Sequence, residues 1–481
     1  MQSETAIALD RFLLWITQSR SAQQAGASEG IAKPSASITF CLCLIYYFSL
    51  CDFVLKFVPV KTAIILRYLP DVTLYLFVLV LVVKQRRILS FPLFWPLLAC
   101  ASTMAISGML NSSPMLAVMK DLFIFFRFSA FTYIGWRTEI TPRRVVQFLQ
   151  GFLGLVIIEL AIGGLELIVG QTAQDFFAPV LGLRSGVPAV MAVQDFGEKG
   201  WIAGTLSNYN HFGMFMVIAC LLSLAMSFIK ESRRYLWLAS TCALAAILSF
   251  SRHSLLSLVV VVVYILLLRS AKMRLGKLIG SVSAVVVLMA ALLGIVGWVN
   301  AGFGQRITTV ASTEVLEGDP TANIRLYMTM SLLPRFLGTY PFFGQGPIPP
   351  SDQVQFGETD TELGPTLKAA PDLPGYVTFY FGDIVWIMVL GLYGCCGLAA
   401  FGYVFWSIAS AANRVRRLNS SAENVALAQT CLAMLIAFII SGFFSEEMIA
   451  RDVIPVFWLL AGIVLSLATQ TERGLASHPS F

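Results

Sequence analysis

Hydrophobic residues are grouped into long blocks separated by short polar stretches from about residue 36 onward. Each block is close to the roughly 20 apolar residues that an α-helix needs to cross a bilayer. A hydropathy window of that length predicts about twelve membrane spans. They lie near residues 36–59, 64–83, 91–110, 115–136, 145–169, 209–229, 235–250, 254–268, 278–298, 377–408, 425–444 and 453–468. The span at 377–408 is too long for a straight crossing and is predicted to be tilted, broken or begun outside the bilayer.

This pattern predicts an all-α integral membrane protein with one polytopic domain over residues 36–468. Polar tails, 1–35 and 469–481, flank that domain. Two polar segments, about 170–208 and 299–376, are too long for simple turns, and the later one is rich in proline and glycine. Long loops inside a compact protein are often functional, so we expect chemistry on the face where these two emerge.

Composition supports a membrane protein, because 57% of residues are hydrophobic and only 12% are charged. A soluble domain normally carries about twice that share of charge. The net charge of +6 comes from basic residues in short loops, so no nucleic-acid partner is expected. The chain has no HExxH motif, no P-loop and no Asp-x-Asp pair on an outer loop. These absences disfavour a metalloprotease, an ATPase and a metal-dependent nucleotide-sugar transferase.

Lysine and arginine are concentrated in one set of alternate loops and in the tails. Those segments are the N-terminal tail and the stretches near 84–87, 137–144, 230–234, 269–277, 414–417 and 473. The intervening short loops carry very few basic residues. Because cytoplasmic loops are enriched in Lys and Arg, both termini are predicted to be cytoplasmic. The two long loops then lie on the outer, periplasmic face.

A polar turn, Ser251–Ser254, separates the apolar runs 235–250 and 255–268. Arg252 in this turn presents a rigid fork of donors that suits a phosphate or pyrophosphate. The alternative is an arginine that extends to the lipid headgroups. His253 is a candidate ligand or base, or a residue that only shapes the turn.

A second polar segment, Gly204–His211, stands at the start of the span near 209–229. Ser or Asn there can cap the helix, and an outward N-terminus also offers free N–H groups to an anion. Asn208, Asn210 and His211 together favour a polar pocket. His211 is also a candidate general base.

Four further residues are candidates for the functional site, and each of them also has a purely structural explanation. Arg325, Arg335 and Arg184 lie in the long outer loops and would bind a substrate anion or merely contact headgroups. Asp383 lies early in the span at 377–408, and a carboxylate at that depth is a functional candidate or the partner of a buried arginine.

Taken in order, these motifs resemble the O-antigen ligase and Wzy-type polysaccharide polymerase superfamily. Gly204–Phe212 is similar to the family's Gly…Asn-x-Asn segment, and Ser251-Arg252 to its Ser-Arg after a span. Arg325 followed by Pro341–Gly346 is similar to its Arg…Pro-x-x-Gly-x-Gly stretch. The resemblance covers roughly residues 36–468.

The resemblance implies a GT-C-like membrane glycosyltransferase of the bacterial inner membrane that needs neither metal nor cofactor. Its donor would be a glycan on undecaprenyl pyrophosphate, bound by Arg252 and Arg325, and its acceptor a second glycan. A flippase and a chain-length regulator would be its protein partners.

The ligase branch usually carries a histidine in the large loop, but this chain has none between Arg325 and Trp386. Gly382-Asp383 followed by Gly391–Gly394 looks instead like the polymerase branch. The expected function is therefore polymerisation of an exopolysaccharide or O-antigen. The base would be Asp383, His211 or His253, in that order of preference. The alternatives are an O-antigen ligase acting on lipid A-core or another acceptor, and a polysaccharide-related transporter.

Overall fold

The structure is a computed structural model that describes part of the chain. The described residues are 36–85, 88–138, 141–177, 180–184, 187–190, 202–206, 209–249, 251–270, 333–347, 384–419, 421–444 and 450–476.

Helices account for most of the described residues. They are α1 (Ala36–Val54), α2 (Val60–Gln85), α3 (Phe94–Leu110), α4 (Met115–Phe126), α5 (Ser129–Arg137), α6 (Pro142–Val169), α7 (Gln171–Phe177), α8 (Tyr209–Lys230), α9 (Arg233–Leu248), α10 (Arg252–Ser270), α11 (Leu333–Thr339), α12 (Val385–Leu418), α13 (Ala422–Ser441) and α14 (Pro455–Ala476). A short antiparallel hairpin pairs β1 (Val180–Arg184) with β2 (Val187–Val190). The predicted helical class is therefore confirmed, with this hairpin added in the first long loop.

Seven helices in the described part are long and apolar enough to cross a membrane. Helices also occupy the other predicted spans that fall within the described residues, while the span near 278–298 lies outside them. These observations are consistent with a multi-pass membrane protein. A total of twelve crossings stays a prediction.

The centre of the bundle is formed by α8, α13 and α14. In the most apolar stretch of α8 and of α14, 78% of the residues are buried, whereas in α2 only 17% are buried. The apolar side chains of α2 therefore face outward, as in a helix that contacts lipid. Helix α14 approaches α5 closely, because a Cβ on Gly135 would lie 2.7 Å from the carbonyl oxygen of Leu459. The Thr132 hydroxyl donates a hydrogen bond across this contact to the carbonyl of Trp458 (2.9 Å). Small residues of this kind let membrane helices pack backbone to backbone.

Helix α12 is broken, as one of the alternatives for the long span at 377–408 predicted. Its backbone leaves the helical region at Gly394, where φ is 64° and ψ is −165°. The predicted span at 115–136 is also interrupted, since α4 ends at Phe126 and α5 begins at Ser129.

Buried polar side chains gather where α1, α6 and α9 end and where α8, α10 and α14 begin. Hydrogen bonds described below join these helix ends, so they lie at one end of the bundle, here called the polar end. The distribution of basic loops predicts that the polar end faces the periplasm.

Candidate functional site

Two buried glutamates on α6 hold the turn that leads into α8. Glu159 accepts hydrogen bonds from the backbone N–H (3.0 Å) and the hydroxyl (2.5 Å) of Thr205. Glu166 accepts hydrogen bonds from the backbone N–H groups of Ala203 (2.9 Å) and Gly204 (3.0 Å). Because three otherwise unpaired backbone donors are satisfied this way, the carboxylates fix the position at which α8 begins.

Gly204 in this turn has a positive φ of 62°, a conformation that residues with a Cβ rarely adopt. A Cβ there would also collide with a Glu159 carboxylate oxygen and lie 3.0 Å from the Phe212 ring. The glycine at the head of the predicted motif is therefore required by both backbone geometry and close packing.

The turn Ser251–Ser254 is built from buried hydroxyl groups and a buried histidine. The Oγ atom of Ser251 lies 2.7 Å from Oγ of Ser254 and 3.2 Å from Nε2 of His253. Arg252 is the first residue of α10, and its side chain is outside the described part of the structure. The predicted tight turn between two apolar helices is therefore confirmed.

This turn packs directly against the first turns of α8. The Ser254 hydroxyl donates a hydrogen bond to the backbone carbonyl of Asn210 (3.4 Å). A Cβ on Gly213 would lie 2.8 Å from Oγ of Ser254 and 2.5 Å from Oγ of Ser249. Two motifs that the sequence predicts separately are thus in contact at the polar end.

Two adjacent buried charged residues, Arg451 and Asp452, lie immediately before α14. Arg451 donates a hydrogen bond to the carboxylate of Asp52 near the end of α1, and Nε of Arg67 lies 3.9 Å from the same carboxylate. The carboxylate of Asp452 lies 3.0 Å from Nδ1 of His211. Arg451 and Asp452 therefore join the end of α1 to the beginning of α8, and Asp52 also lies close to Arg67 in the second turn of α2.

A second polar arrangement surrounds the break in α12. Four backbone hydrogen bonds of 2.9–3.0 Å join the break to the Pro341–Gly346 segment: Gln345 to Gly391, Gly346 to Leu392, Cys395 to Pro341 and Cys396 to Phe342. Backbone groups freed by a break must find partners when water is excluded. The Pro341–Gly346 segment supplies hydrogen-bond partners for the backbone groups at the break, and these bonds hold the segment in place.

The hairpin of α3 and α4 holds the same arrangement from the other side. The side-chain amide of Asn111 donates a hydrogen bond to the carbonyl of Gly344 (3.0 Å), and the Ser107 hydroxyl donates one to that of Leu392 (2.8 Å). The Tyr393 hydroxyl donates a hydrogen bond to the Asp121 carboxylate (2.5 Å). The motif that follows Arg325 in the chain is thereby anchored to α12 and to the end of α3, while Tyr393 joins α12 to α4.

The structure brings together only some of the predicted site residues. Asn210, His211 and His253 lie at the polar end with the backbone of Arg252. Asn208, Arg325 and Asp383 lie outside the described residues. Arg184 in β1 and Arg335 in α11 are placed by their backbones alone. Among the described residues, no three His, Cys, Asp or Glu side chains are grouped in a way that could hold a metal ion.

Sequence reasoning assigned no role to Arg451 or Asp452. The available signal was a pair of opposite charges directly before an apolar helix. Buried charges need partners, so such a pair predicts contacts to other helices without naming them.

The segment that contains the Ser251–Ser254 turn and the Pro341–Gly346 stretch matches a known protein family. Residues 235–372 match a protein-family model described as O-antigen ligase. The resemblance to the O-antigen ligase and Wzy-type superfamily is confirmed. The matched segment contains the Ser251–Ser254 turn, Arg325 and Pro341–Gly346, whereas His211 and Asp383 lie outside it. None of the curated proteins compared with the chain matches it.

The O-antigen ligase match supports a polysaccharide function of the ligase or polymerase type. Together with the apolar helices, it supports a multi-pass membrane enzyme related to glycosyltransferases.

Proposed function

We propose that the protein polymerises a cell-surface polysaccharide at the periplasmic face of the bacterial inner membrane. It transfers a glycan from undecaprenyl pyrophosphate to a sugar hydroxyl of the acceptor, without a metal ion. The observation that carries this proposal is the contact between the Ser251–Ser254 turn and the start of α8, inside a chain that matches the O-antigen ligase family. That contact puts Arg252, Asn210 and two histidines at one end of a membrane bundle.

The chemistry requires stabilisation of a departing anion. The bond between the anomeric carbon and the pyrophosphate oxygen breaks, and its electron pair leaves with the lipid pyrophosphate. Arg252 and Arg325 are assigned to that pyrophosphate, because fixed cations aimed at developing charge lower the barrier. Arg335, Arg184, Asn208 and Asn210 are assigned to the rest of the glycan and its phosphates.

The acceptor hydroxyl attacks the anomeric carbon and must lose its proton. A base within hydrogen-bond reach of that hydroxyl is required. Asp383, His211 and His253 are the three candidates from the sequence. In a GT-C-like arrangement, the long outer loops would cover the reacting groups.

Polymerase activity is preferred to ligase activity because no histidine lies between Arg325 and Trp386. The Asp383 region followed by Gly391–Gly394 also favours a polymerase. The matched family is itself described as a ligase, so transfer to lipid A-core or another acceptor is the second candidate. A flippase that delivers the donor and a chain-length regulator are the expected partners.

The test is the size distribution of lipid-linked glycan in a deletion strain that carries wild-type or Arg252→Ala protein. Single repeat units on the carrier lipid in the variant, with no long chains, would identify a polymerase. Long chains stranded on the carrier would identify a ligase. Unchanged glycan in the variant, with normal amounts of protein in the membrane, would reject both and return a transporter as the alternative.

A further inference from the structure

We infer that Asp452 is a positioning residue for His211, and that His211 accepts the proton of the acceptor hydroxyl. This inference rests on the proposed function and selects one base from the three candidates. It also gives a role to Asp452, which lies outside the segment matched by the family model.

The distance between Asp452 Oδ2 and His211 Nδ1 is 3.0 Å, which is that of a hydrogen bond. When Nδ1 carries its proton toward a carboxylate, the neutral ring has its lone pair on Nε2. The carboxylate also stabilises the imidazolium that forms once Nε2 takes up a proton. The pair therefore leaves Nε2 as the proton-accepting atom of the ring. Nε2 is buried, so the acceptor hydroxyl reaches it only when neighbouring side chains move.

Both partners are held by rigid elements. Asp452 directly precedes the central helix α14, its own carbonyl accepts a hydrogen bond from Ser49 (3.5 Å), and its neighbour Arg451 is bonded to Asp52. His211 lies in the first turn of α8, whose start is fixed by the two glutamates on α6. A base works best when its orientation is fixed before the substrate binds.

His253, the other histidine at the polar end, has its Nε2 atom 3.2 Å from the hydroxyl of Ser251 in its own turn. His211 is preferred for the contact that it makes itself, because a carboxylate within hydrogen-bond distance stabilises an imidazolium.

The O–H bond of the acceptor sugar breaks, its proton goes to Nε2 of His211, and its oxygen forms the new bond to the anomeric carbon. The bond from that carbon to the pyrophosphate oxygen breaks, and the anionic lipid pyrophosphate departs. No oxidant, reductant or further reactant is needed.

The experiment uses purified full-length protein in nanodiscs and lipid-linked glycan extracted from the deletion strain. Initial rates at several glycan concentrations give kcat and KM for wild type, His211→Asn, Asp452→Asn and the double variant. His211→Asn is expected to lower kcat about 100-fold or more, since general base catalysis contributes at least that factor. KM should change little. Asp452→Asn should also lower kcat, and the double variant should be no slower than His211→Asn, because nothing is left to position.

Asp175→Asn is the matched control, because Asp175 is an exposed carboxylate on α7. It is expected to keep the wild-type kcat. Should Asp452→Asn fail to fold, Asp452→Glu decides, since it retains a carboxylate. Its kcat is expected to stay well above that of His211→Asn, and a value as low as that variant's contradicts the inference.

Three results would overturn the inference: an unchanged kcat in either single variant, rate losses that multiply in the double variant, or losses seen only in KM and the melting temperature. Arg252→Ala in the same assay separates this outcome from failure of the proposed function. An active His211→Asn beside an inactive Arg252→Ala rejects His211 alone. If the wild-type protein forms no glycan longer than the substrate, both the role of His211 and the proposed function are rejected.

Discussion

At the scale of single residues, Arg252 shows why charge alone does not define the proposed site. Arginine donates two parallel hydrogen bonds to a phosphate, whereas lysine is a compact point charge. Arg252→Lys is therefore expected to give much less polymer than wild type at equal protein level, measured by the size-resolved glycan of the complemented deletion strain. Arg233→Lys, an exposed residue at the opposite end of the bundle, should give normal polymer. Normal polymer from Arg252→Lys would mean that a fork of donors is not needed.

Tyr393 allows the hydrogen bond at the helix break to be tested against a matched tyrosine. Tyr393→Phe removes its bond to the Asp121 carboxylate and should cost about 1.5–3 kcal/mol, as hydrogen bonds to charged groups do. The buried Tyr133 hydroxyl forms no hydrogen bond with the described residues, so Tyr133→Phe should cost little. Thermal unfolding in detergent measures both. Equal melting temperatures for the two variants would contradict the described role of Tyr393.

The site residues that sequence alone predicts are those in short, unusual motifs. Asn210, His211 and His253 stand out because the chain has only three histidines and two of them lie in short polar motifs next to apolar runs. The contact between the Ser251–Ser254 turn and Asn210 could not be predicted, since it depends on the packing of α8 against α9 and α10. The Asp452–His211 pair spans residues far apart in the chain and required the folded bundle to become visible.

At the scale of elements, the break in α12 is the feature most open to test. Gly394 has φ 64° and ψ −165°, a region open essentially to glycine, and a Cβ there would collide with the Phe342 carbonyl. Gly394→Ala is expected to destabilise the protein by about 1–3 kcal/mol or more from backbone strain. Gly402→Ala is the control on the same helix, because a Cβ at Gly402 meets nothing within 4 Å.

The Gly402→Ala variant should keep the wild-type melting temperature or raise it slightly, because alanine in a helix is more stable than glycine by roughly 0.5–1 kcal/mol. A Gly394→Ala protein as stable as Gly402→Ala would contradict a break that needs glycine.

Helices were predictable because block length reports bilayer thickness directly. The length of the span at 377–408 left a break as one of three alternatives, beside a tilt and a start outside the bilayer. What the sequence could not supply is the partner of that break: the pairing with Pro341–Gly346 uses backbone groups, which leave no pattern of side chains to read.

At the scale of the whole molecule, the distribution of basic loops predicts that both termini are cytoplasmic. Fusions to Phe481 test this with the full-length protein. A fluorescent protein fused there should fluoresce, and alkaline phosphatase fused there should be inactive. As a control, alkaline phosphatase fused after Asn111, in the loop between α3 and α4, should be active. The reverse pattern would place the polar end in the cytoplasm and remove the periplasmic site.

We propose that this protein alone lengthens a lipid-linked glycan at its polar end. Reconstitution tests this: purified protein in liposomes is mixed with lipid-linked glycan from the deletion strain in the presence of a metal chelator. We expect a ladder of longer glycans with wild-type protein and none with Arg252→Ala. Absence of longer glycan with wild type, or an equal ladder with Arg252→Ala, would contradict it.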